Sequence, residues 1–221
     1  MIGQLKPAYV YNLNMYLKYL EQRNNYLKQI KIFNKPDDML EIWNEKLVEY
    51  AENIFNYRNH FINLIKERIN NIHSNITDDK EEIEIEYISD YVNRENFTNI
   101  LKNSKEKDIL RGFTTKGIHK DDFLIKINDK PVGIYGSQGQ HRTAILSLKI
   151  CELQIIYEET GEYPILLLDD FMSELDEKRR KRLLNNIIDN QVIITCTEEM
   201  KLDNNNFKKY HVKNGEVVLV N

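Results

Sequence analysis

The sequence predicts an α/β fold in which an N-terminal α-helical lobe is followed by a parallel βαβ unit and a C-terminal β-hairpin. Apolar residues recur at helical spacing through the first part of the chain. After about Phe113 they fall instead into short apolar runs bounded by turn residues, which is typical of strands. We therefore expect a helical arm lobe at residues 1–110 and an α/β lobe at residues 111–221.

The composition is that of a globular protein without a strong charge bias. Of the 221 residues, 41% are hydrophobic, which is enough for a core, and the net charge of −4 means that any DNA contact must be local. Cys151 and Cys196 are far apart and neither lies in a C-x-x-C motif, which argues against a zinc ribbon or a disulfide framework. The sequence shows no secretion signal or membrane-spanning run, so we expect a soluble, cytoplasmic protein without a membrane partner.

The N-terminal lobe is predicted to be a helical hairpin. Helical periodicity runs from Pro7, a residue that the first turn of a helix tolerates, to about Lys31. After a break at residues 34–37, Asp38 is a plausible N-cap for a second helix that continues to about His73. A short loop between two such helices makes them antiparallel. We interpret their apolar stripes as core and not as a partner groove.

The middle of the chain alternates between strand and helix. A half-buried strand is predicted at residues 83–87 and a helix from Glu95 to Leu110, ended by Gly112. A second strand at residues 123–127 leads through a turn toward Val132 to Tyr135. A long helix then runs from Gln138 to about Glu158.

The C-terminal part predicts the parallel unit. The run Ile165 to Leu168 is wholly apolar and ends in acids, which is typical of a central strand buried on both faces. A helix from Asp176 to about Ile188 separates it from a second apolar strand at residues 192–195. An Asn214-Gly215 turn then predicts a closing hairpin.

Two acids mark the first place where chemistry is expected. Asp169 and Asp170 stand where a buried parallel strand ends, which is the edge at which open α/β sheets place ligands. One acid can hold Mg²⁺ through water, and a second can orient or deprotonate an attacking water during phosphate-anhydride cleavage. The alternative is a pair of acids in a solvated turn.

The second place is the start of the long helix at Ser137-Gln138-Gly139-Gln140. Its N–H groups and the positive end of the helix dipole are available to an anion. Ser137 adds a hydroxyl, and Gly139 allows a phosphate to approach closely. The alternative is an ordinary serine N-cap with a glycine nearby.

The order of the motifs distinguishes between these interpretations. The helix start, the strand ending in Asp169-Asp170 and the stretch Ser173-Glu174-Leu175-Asp176 follow one another as signature motif, Walker B strand and D-loop do in ABC ATPase heads. The stretches YGSQGQHRT at 135–143 and EYPILLLDDFMSELD at 162–176 closely resemble the RecF recombination-mediator family.

A third stretch supports the same resemblance. GIHKDD at 117–122 is similar to the family's GPHRDD, with Ile118 for proline and Lys120 for arginine. The resemblance is specific over about Thr114 to Thr197 and is one of layout over the N-terminal helices, where residues 22–24 are a modest match.

The resemblance implies half of an ABC-type ATPase head, related to SMC heads, that uses ATP and Mg²⁺. Asp169 would be the magnesium residue, and Asp170 stands where most ABC proteins carry a catalytic glutamate. The signature residues Ser137, Gln138, Gly139 and Gln140 would face ATP bound to the opposite copy of an ATP-dependent homodimer. Asp176 would be the D-loop acid at the dimer interface. We expect Asp169 to be partly buried and to approach Ser137 only across the dimer.

Two features depart from the family pattern. The strand at residues 192–195 runs into Cys196-Thr197-Glu198 and not into a switch histidine, which favours a slow ATP switch over a fast enzyme. No G-x-x-x-x-G-K-[ST] loop is present among these residues. We therefore expect the sequence to be a C-terminal portion that is inactive alone, with weak ATPase activity in the intact protein.

Other polar residues have plainer interpretations. The run Lys178 to Arg182 is expected to be a solvated helix face that pairs with Glu174, Asp176 and Glu177, with a phosphate or DNA contact as the alternative. His119 and His141 lack metal-ligand spacing and are expected to be surface or hydrogen-bonded residues.

The family implies a function in recombinational repair, replication restart and the SOS response. An ATP-closed clamp would bind duplex DNA and single-strand/duplex junctions near gaps, and would help recombination-mediator partner proteins to load the recombinase. A non-catalytic interaction module is the alternative from a different class. An SMC-like head is disfavoured because the helical hairpin is too short for a long coiled-coil arm.

Overall fold

The N-terminal residues form the predicted helical hairpin. The computed structural model describes residues 1–169, 177–187, 191–197 and 207–220. A short helix α1 (Ile2–Leu5) precedes α2 (Pro7–Phe33), which packs along α3 (Leu40–Thr77). Pro7 stands in the first turn of α2, and Asn34 ends it in the left-handed conformation with φ of 51°. Most of the apolar stripe residues of α2 and α3 are buried between the helices, as expected of a core, while Val10, Leu17 and Ile42 on these stripes are exposed.

A three-stranded antiparallel sheet follows the hairpin. Strand β1 (Ile83–Ile88) pairs with β2 (Asp122–Ile127), which pairs with β3 (Lys130–Pro131). Ile83 and Ile85 are buried, while Glu84 and Glu86 are exposed. Since β1 and β2 lie on opposite sides of residue 110, the sheet joins the two predicted lobes, and the boundary between them stays a prediction.

The helix between these strands differs from its prediction. Instead of one helix there are two, α4 (Arg94–Asn103) and α5 (Lys105–Arg111), separated at Ser104. The Ser104 hydroxyl donates to the Leu101 carbonyl at 3.2 Å, and such local side-chain bonds compete with the helical ladder. Gly112 ends α5 with φ of 74°, as predicted.

The helices that follow the hairpin and the sheet include the long helix that begins after Ser137. A single 3-10 turn, Ile118–Lys120, lies before β2, and a short helix α6 (Val132–Tyr135) follows β3. The long helix α7 (Gln138–Thr160) then packs against α3. Together with the parallel strands described next, these two helices enclose the largest buried apolar cluster, which includes Phe61, Ile69, Leu146, Ile150 and Leu166.

The predicted βαβ unit is present. Strand β4 (Leu166–Asp169) and strand β5 (Val192–Thr195) are parallel, and α8 (Glu177–Asn186) lies between them in sequence. The prediction that β4 is buried on both faces was wrong, because Leu167 is 69% exposed while Leu166 and Leu168 are buried. The physical reason is that helices cover only one face of the two strands in the part of the chain that the structure describes.

The chain closes with the predicted hairpin of β6 (Lys209–Lys213) and β7 (Glu216–Val220). Asn214 and Gly215 have φ of 52° and 82°, the two positive values that the tightest hairpin turn requires. All ten strand residues are exposed. Among the described helices, none combines the length and apolar character needed to cross a membrane.

Candidate nucleotide half-site

The start of α7 is a rigid, closed helix cap. The Ser137 hydroxyl accepts from the backbone N–H of Gln140 at 3.2 Å, and the Gln140 side-chain oxygen accepts from the Ser137 N–H at 2.9 Å. This reciprocal pair is a capping box. Gly136 is required before it, because a Cβ there would lie 2.6 Å from the Val132 carbonyl oxygen. The capping box and Gly136 together define the backbone conformation at the start of α7.

The cap leaves two backbone donors open. Ser137 and Gln138 are exposed, and Gly139 is half-buried. The N–H groups of Gln138 and Gly139 have no hydrogen-bond acceptor within the described residues, whereas those of Gln140 and His141 bond to Ser137. Free N–H groups at the positive end of a 23-residue helix are suited to bind an anion.

Gln140 has a different task from its neighbours. Its side-chain N–H₂ donates to Glu81 Oε1 at 3.2 Å, and the other Glu81 oxygen accepts from His73 Nε2 at 3.2 Å. With its oxygen in the capping box, both ends of the Gln140 amide are engaged. The predicted contact of Gln140 with nucleotide stays a prediction, and the structure adds a bracing role that the sequence did not reveal.

Asp169 lies at the end of β4, as predicted, but it is exposed and not partly buried. It is in register with Thr195 on β5, whose hydroxyl donates to Asp169 Oδ1. The exposure follows from the open face of the two-stranded sheet. An exposed carboxylate can hold Mg²⁺ through water, but no cluster of three metal-ligating side chains occurs among the residues described.

The other predicted site residues cannot be placed. Asp170 and Asp176 lie outside the described residues, as do Ser173 and Glu174. Within the described chain no hydrogen bond or ion pair joins Asp169 to the helix start at Ser137, so their meeting across a dimer stays a prediction.

The basic run on α8 is described only in part. Lys178 and Lys181 are exposed. Arg182 donates to Asp78 at 2.6 Å and to the carbonyl of Ile76 at 3.3 Å, so it is anchored to the end of α3. This partner differs from the three acids that the sequence suggested.

The GIHKDD stretch faces the helical hairpin. His119 Nδ1 lies 3.0 Å from the Tyr16 hydroxyl and Nε2 lies 3.3 Å from the Thr114 carbonyl, and burial lowers the pKa of His119. Arg58 pairs with Asp121 at 3.0 Å, and Tyr87 donates to the same carboxylate. Burial raises the pKa of Asp121. His119 is a hydrogen-bonded residue, as expected.

A buried polar network beside this stretch was missed. Arg23 is 0% exposed and donates to Asp108 at 2.8 Å, to Thr114 Oγ1 at 2.7 Å and to Asn44 at 2.9 Å. The sequence does indicate that Arg23 is buried, because Arg23 falls on the apolar stripe of α2 between Leu20 and Leu27. A charged residue at such a position is buried and paired. This network ties both long helices to the loop before residue 117.

No protein-family model matches the chain. Curated relatives do match it. The chain is 42% identical over 229 residues to the DNA replication and repair protein RecF of an Exiguobacterium species, and 39% identical over 231 residues to that of Staphylococcus carnosus. It is 42% identical over 212 residues to that of Ruminiclostridium cellulolyticum. These matches cover 98%, 98% and 92% of this chain. They cover 62%, 62% and 57% of the relatives, so the chain spans about three fifths of their length.

Solved structures agree with the sequence relatives. One, described as the recombination mediator protein RecF with ATP in the RecFOR pathway, has a TM-score of 0.87 and 37% identity, and the match covers 100% of this chain and 60% of that one. A second, of the same protein with ATPγS, has a TM-score of 0.84 and 36% identity over 98% of this chain and 60% of that one.

Proposed function

Because this chain belongs to the RecF family and matches the C-terminal portion of its members, we propose that it contributes the signature half of an ATP site in a DNA-repair protein. The relatives are named for DNA replication and repair, and the matched structures contain ATP or its analogue. The observation that carries the proposal is the start of α7, where the N–H groups of Gln138 and Gly139 have no acceptor among the residues that the structure describes.

The proposed chemistry is a composite site between two copies. Ser137, Gln138 and Gly139 contact the γ-phosphate of ATP held by the opposite copy, since an exposed helix start binds anions through N–H groups and dipole. Asp169 holds Mg²⁺ through water, as an exposed carboxylate can. Asp170 orients the attacking water and Asp176 lies at the dimer interface. The absence of a switch histidine after Thr195 favours a slow switch.

The wider function follows the family. We propose that the ATP-closed homodimer binds duplex DNA and single-strand/duplex junctions near gaps in the cytoplasm. In this state it helps partner proteins of recombinational repair to load the recombinase, also during replication restart and the SOS response. A non-catalytic module that recruits a partner through the helical hairpin is the competing function. It requires neither ATP nor an intact helix start.

The test measures association that depends on ATP. The chain is mixed with a full-length RecF relative, with and without ATP and Mg²⁺, and is followed by sedimentation. Ser137→Arg fills the phosphate position with a long side chain, so we expect at least a tenfold loss of ATP-dependent association. Asp169→Asn in the full-length protein abolishes the magnesium dependence and leaves the fold intact.

The matched control is Gln154→Arg, which adds the same charge on an exposed position of the same helix. It leaves association unchanged. Association that is equal with and without ATP, and equal for both arginine variants, would support the interaction module instead. A DNA shift assay on the same mixtures then reports whether the ATP-dependent species is the one that binds DNA.

A further inference from the structure

We propose that Glu81 and His73 are positioning residues that hold the start of α7 in the geometry needed for phosphate binding. This inference rests on the proposed function, because it assigns a task to residues that do not themselves reach the nucleotide. Neither residue belongs to a motif that the sequence singled out. Glu81 acts through Gln140, which closes the helix cap, and His73 acts through Glu81 and Ser147.

The hydrogen bonds form a continuous chain. From the helix start, the Ser137 N–H donates to Gln140 Oε1 at 2.9 Å, and Gln140 Nε2 donates to Glu81 Oε1 at 3.2 Å. His73 Nε2 donates to the second Glu81 oxygen at 3.2 Å. A carboxylate only accepts and a backbone N–H only donates, so the Gln140 amide has a single orientation that satisfies both neighbours.

Burial makes this chain rigid. His73 is 0% exposed, and the side chain of Glu81 is 14% exposed. Hydrogen bonds to a charged group are stronger than neutral ones, and a carboxylate removed from water depends on its donors. Glu81 therefore has two donors to satisfy it, one from α3 and one from α7.

A second attachment prevents α7 from rotating. His73 Nδ1 lies 3.0 Å from Ser147 Oγ, within hydrogen-bond distance. Ser147 and Gln140 lie seven residues apart, about two turns of the same helix face. One imidazole on α3 thus fixes α7 at two levels, and the open N–H groups of Gln138 and Gly139 keep their direction. Preorganised donors of this kind need no rearrangement when an anion arrives.

The test begins with Glu81→Gln in the chain itself. The substitution keeps the size of the side chain, but an amide offers one acceptor to two donors, so one hydrogen bond is lost. Amide exchange is measured by NMR at Ser137, Gln140 and His141, whose N–H groups close the first turn. We expect about tenfold faster exchange at these positions. Glu82→Gln, an exposed neighbour, is the control and leaves exchange unchanged.

A reciprocal change supplies the rescue. In the double variant Glu81→Gln/Gln140→Glu, the new amide accepts from His73 and donates to the new carboxylate, which still accepts from the Ser137 N–H. Exchange returns to within about twofold of the parent. Gln140→Glu alone places two carboxylates face to face and increases exchange. Rescue is measured by amide exchange and not by ATP-dependent association, because the new carboxylate at position 140 lies near the proposed phosphate position.

Association with the full-length relative then separates the two proposals. Glu81→Gln weakens ATP-dependent association about fivefold, Glu82→Gln does not, and thermal unfolding verifies that both variants fold. If Ser137→Arg abolishes association while Glu81→Gln leaves association or exchange unchanged, the positioning role is overturned and the proposed function stands. If the parent chain shows no ATP-dependent association, the proposed function fails and the positioning role fails with it.

Discussion

At the scale of single residues, burial decides the chemistry of the two thiols. Cys151 on α7 is 0% exposed within the largest apolar cluster, and burial raises the pKa of its thiol to about 12. Cys196 follows β5 and is exposed. Since the thiolate is the reactive form, a buried thiol with a raised pKa is inert at neutral pH.

We predict that one thiol per folded chain reacts with a chromogenic disulfide reagent at pH 8. At that pH about 1 in 10,000 Cys151 side chains is ionised, and the reagent cannot reach them without opening of the core. Absorbance after mixing measures the count, which becomes two after unfolding in urea. Cys196→Ser removes the fast reaction and Cys151→Ser does not. Equal rates for both thiols in the folded chain would contradict the burial of Cys151.

The sequence predicts the contacts of some single residues and not those of others. An N-cap at Ser137 was the alternative interpretation of this helix start, and the structure shows that Ser137 does cap α7 through a bond to a group three residues away. The partners of Gln140 come from positions 73 and 81, and no local pattern relates them to position 140. Arg23 lies between these cases, because its place on an apolar stripe indicates burial but does not identify Asp108 as its partner.

At the scale of elements, one glycine sets how the GIHKDD stretch sits on the helical hairpin. Gly117 has φ of 132°, in a region that only glycine occupies readily. A Cβ there would lie 2.7 Å from the Tyr16 hydroxyl and 3.0 Å from Phe97. The 3-10 turn at Ile118–Lys120 can therefore approach α2 and α4 only because this side chain is absent.

We predict that Gly117→Ala lowers the free energy of unfolding by about 3 kcal/mol, from backbone strain and overpacking together. Gly161→Ala is the matched control, because its φ of 74° is also positive but no atom lies within 4 Å of an added Cβ. We expect Gly161→Ala to lower the free energy of unfolding by about 1 kcal/mol, from backbone strain alone. Urea unfolding of both variants measures the difference. Equal costs would show that the contact with Tyr16 is not tight.

Element predictions succeeded where local pattern decides the outcome. Helical periodicity located α2, α3 and α7, and the βαβ rule gave the parallel pairing of β4 and β5. The division at Ser104 was missed because helical periodicity does not reveal the bond from the Ser104 hydroxyl to the Leu101 carbonyl. The face exposed by Leu167 was missed because an apolar run does not reveal how many layers cover it.

At the scale of the whole molecule, the proposed nucleotide half-site lacks a phosphate-binding loop in this sequence. The helix start at Ser137 and Asp169 are present, while no G-x-x-x-x-G-K-[ST] loop occurs in the sequence. Sequence could name these residues because their motifs are contiguous. It could not give their distance across the proposed dimer, because that geometry would depend on a second copy.

We predict that the isolated chain binds ATP with a dissociation constant above the millimolar range. A helix dipole contributes no more than ~2 kcal/mol even in a partly buried setting. Millimolar binding already requires about 4 kcal/mol. Calorimetry with Mg²⁺ and ATP measures the affinity, and Ser137→Arg provides the blank. Micromolar binding that survives Ser137→Arg would mean that the nucleotide site lies elsewhere on the chain.

The uncovered face of the parallel strands has a practical consequence for handling the protein. Leu167 and Ile193 are cross-strand neighbours and are 69% and 51% exposed. An exposed apolar surface of this kind favours association between molecules. Because apolar attraction weakens on cooling, cold and dilute stocks will stay clear longer than warm and concentrated ones. We therefore expect precipitation through this face to limit the shelf life of warm, concentrated stocks.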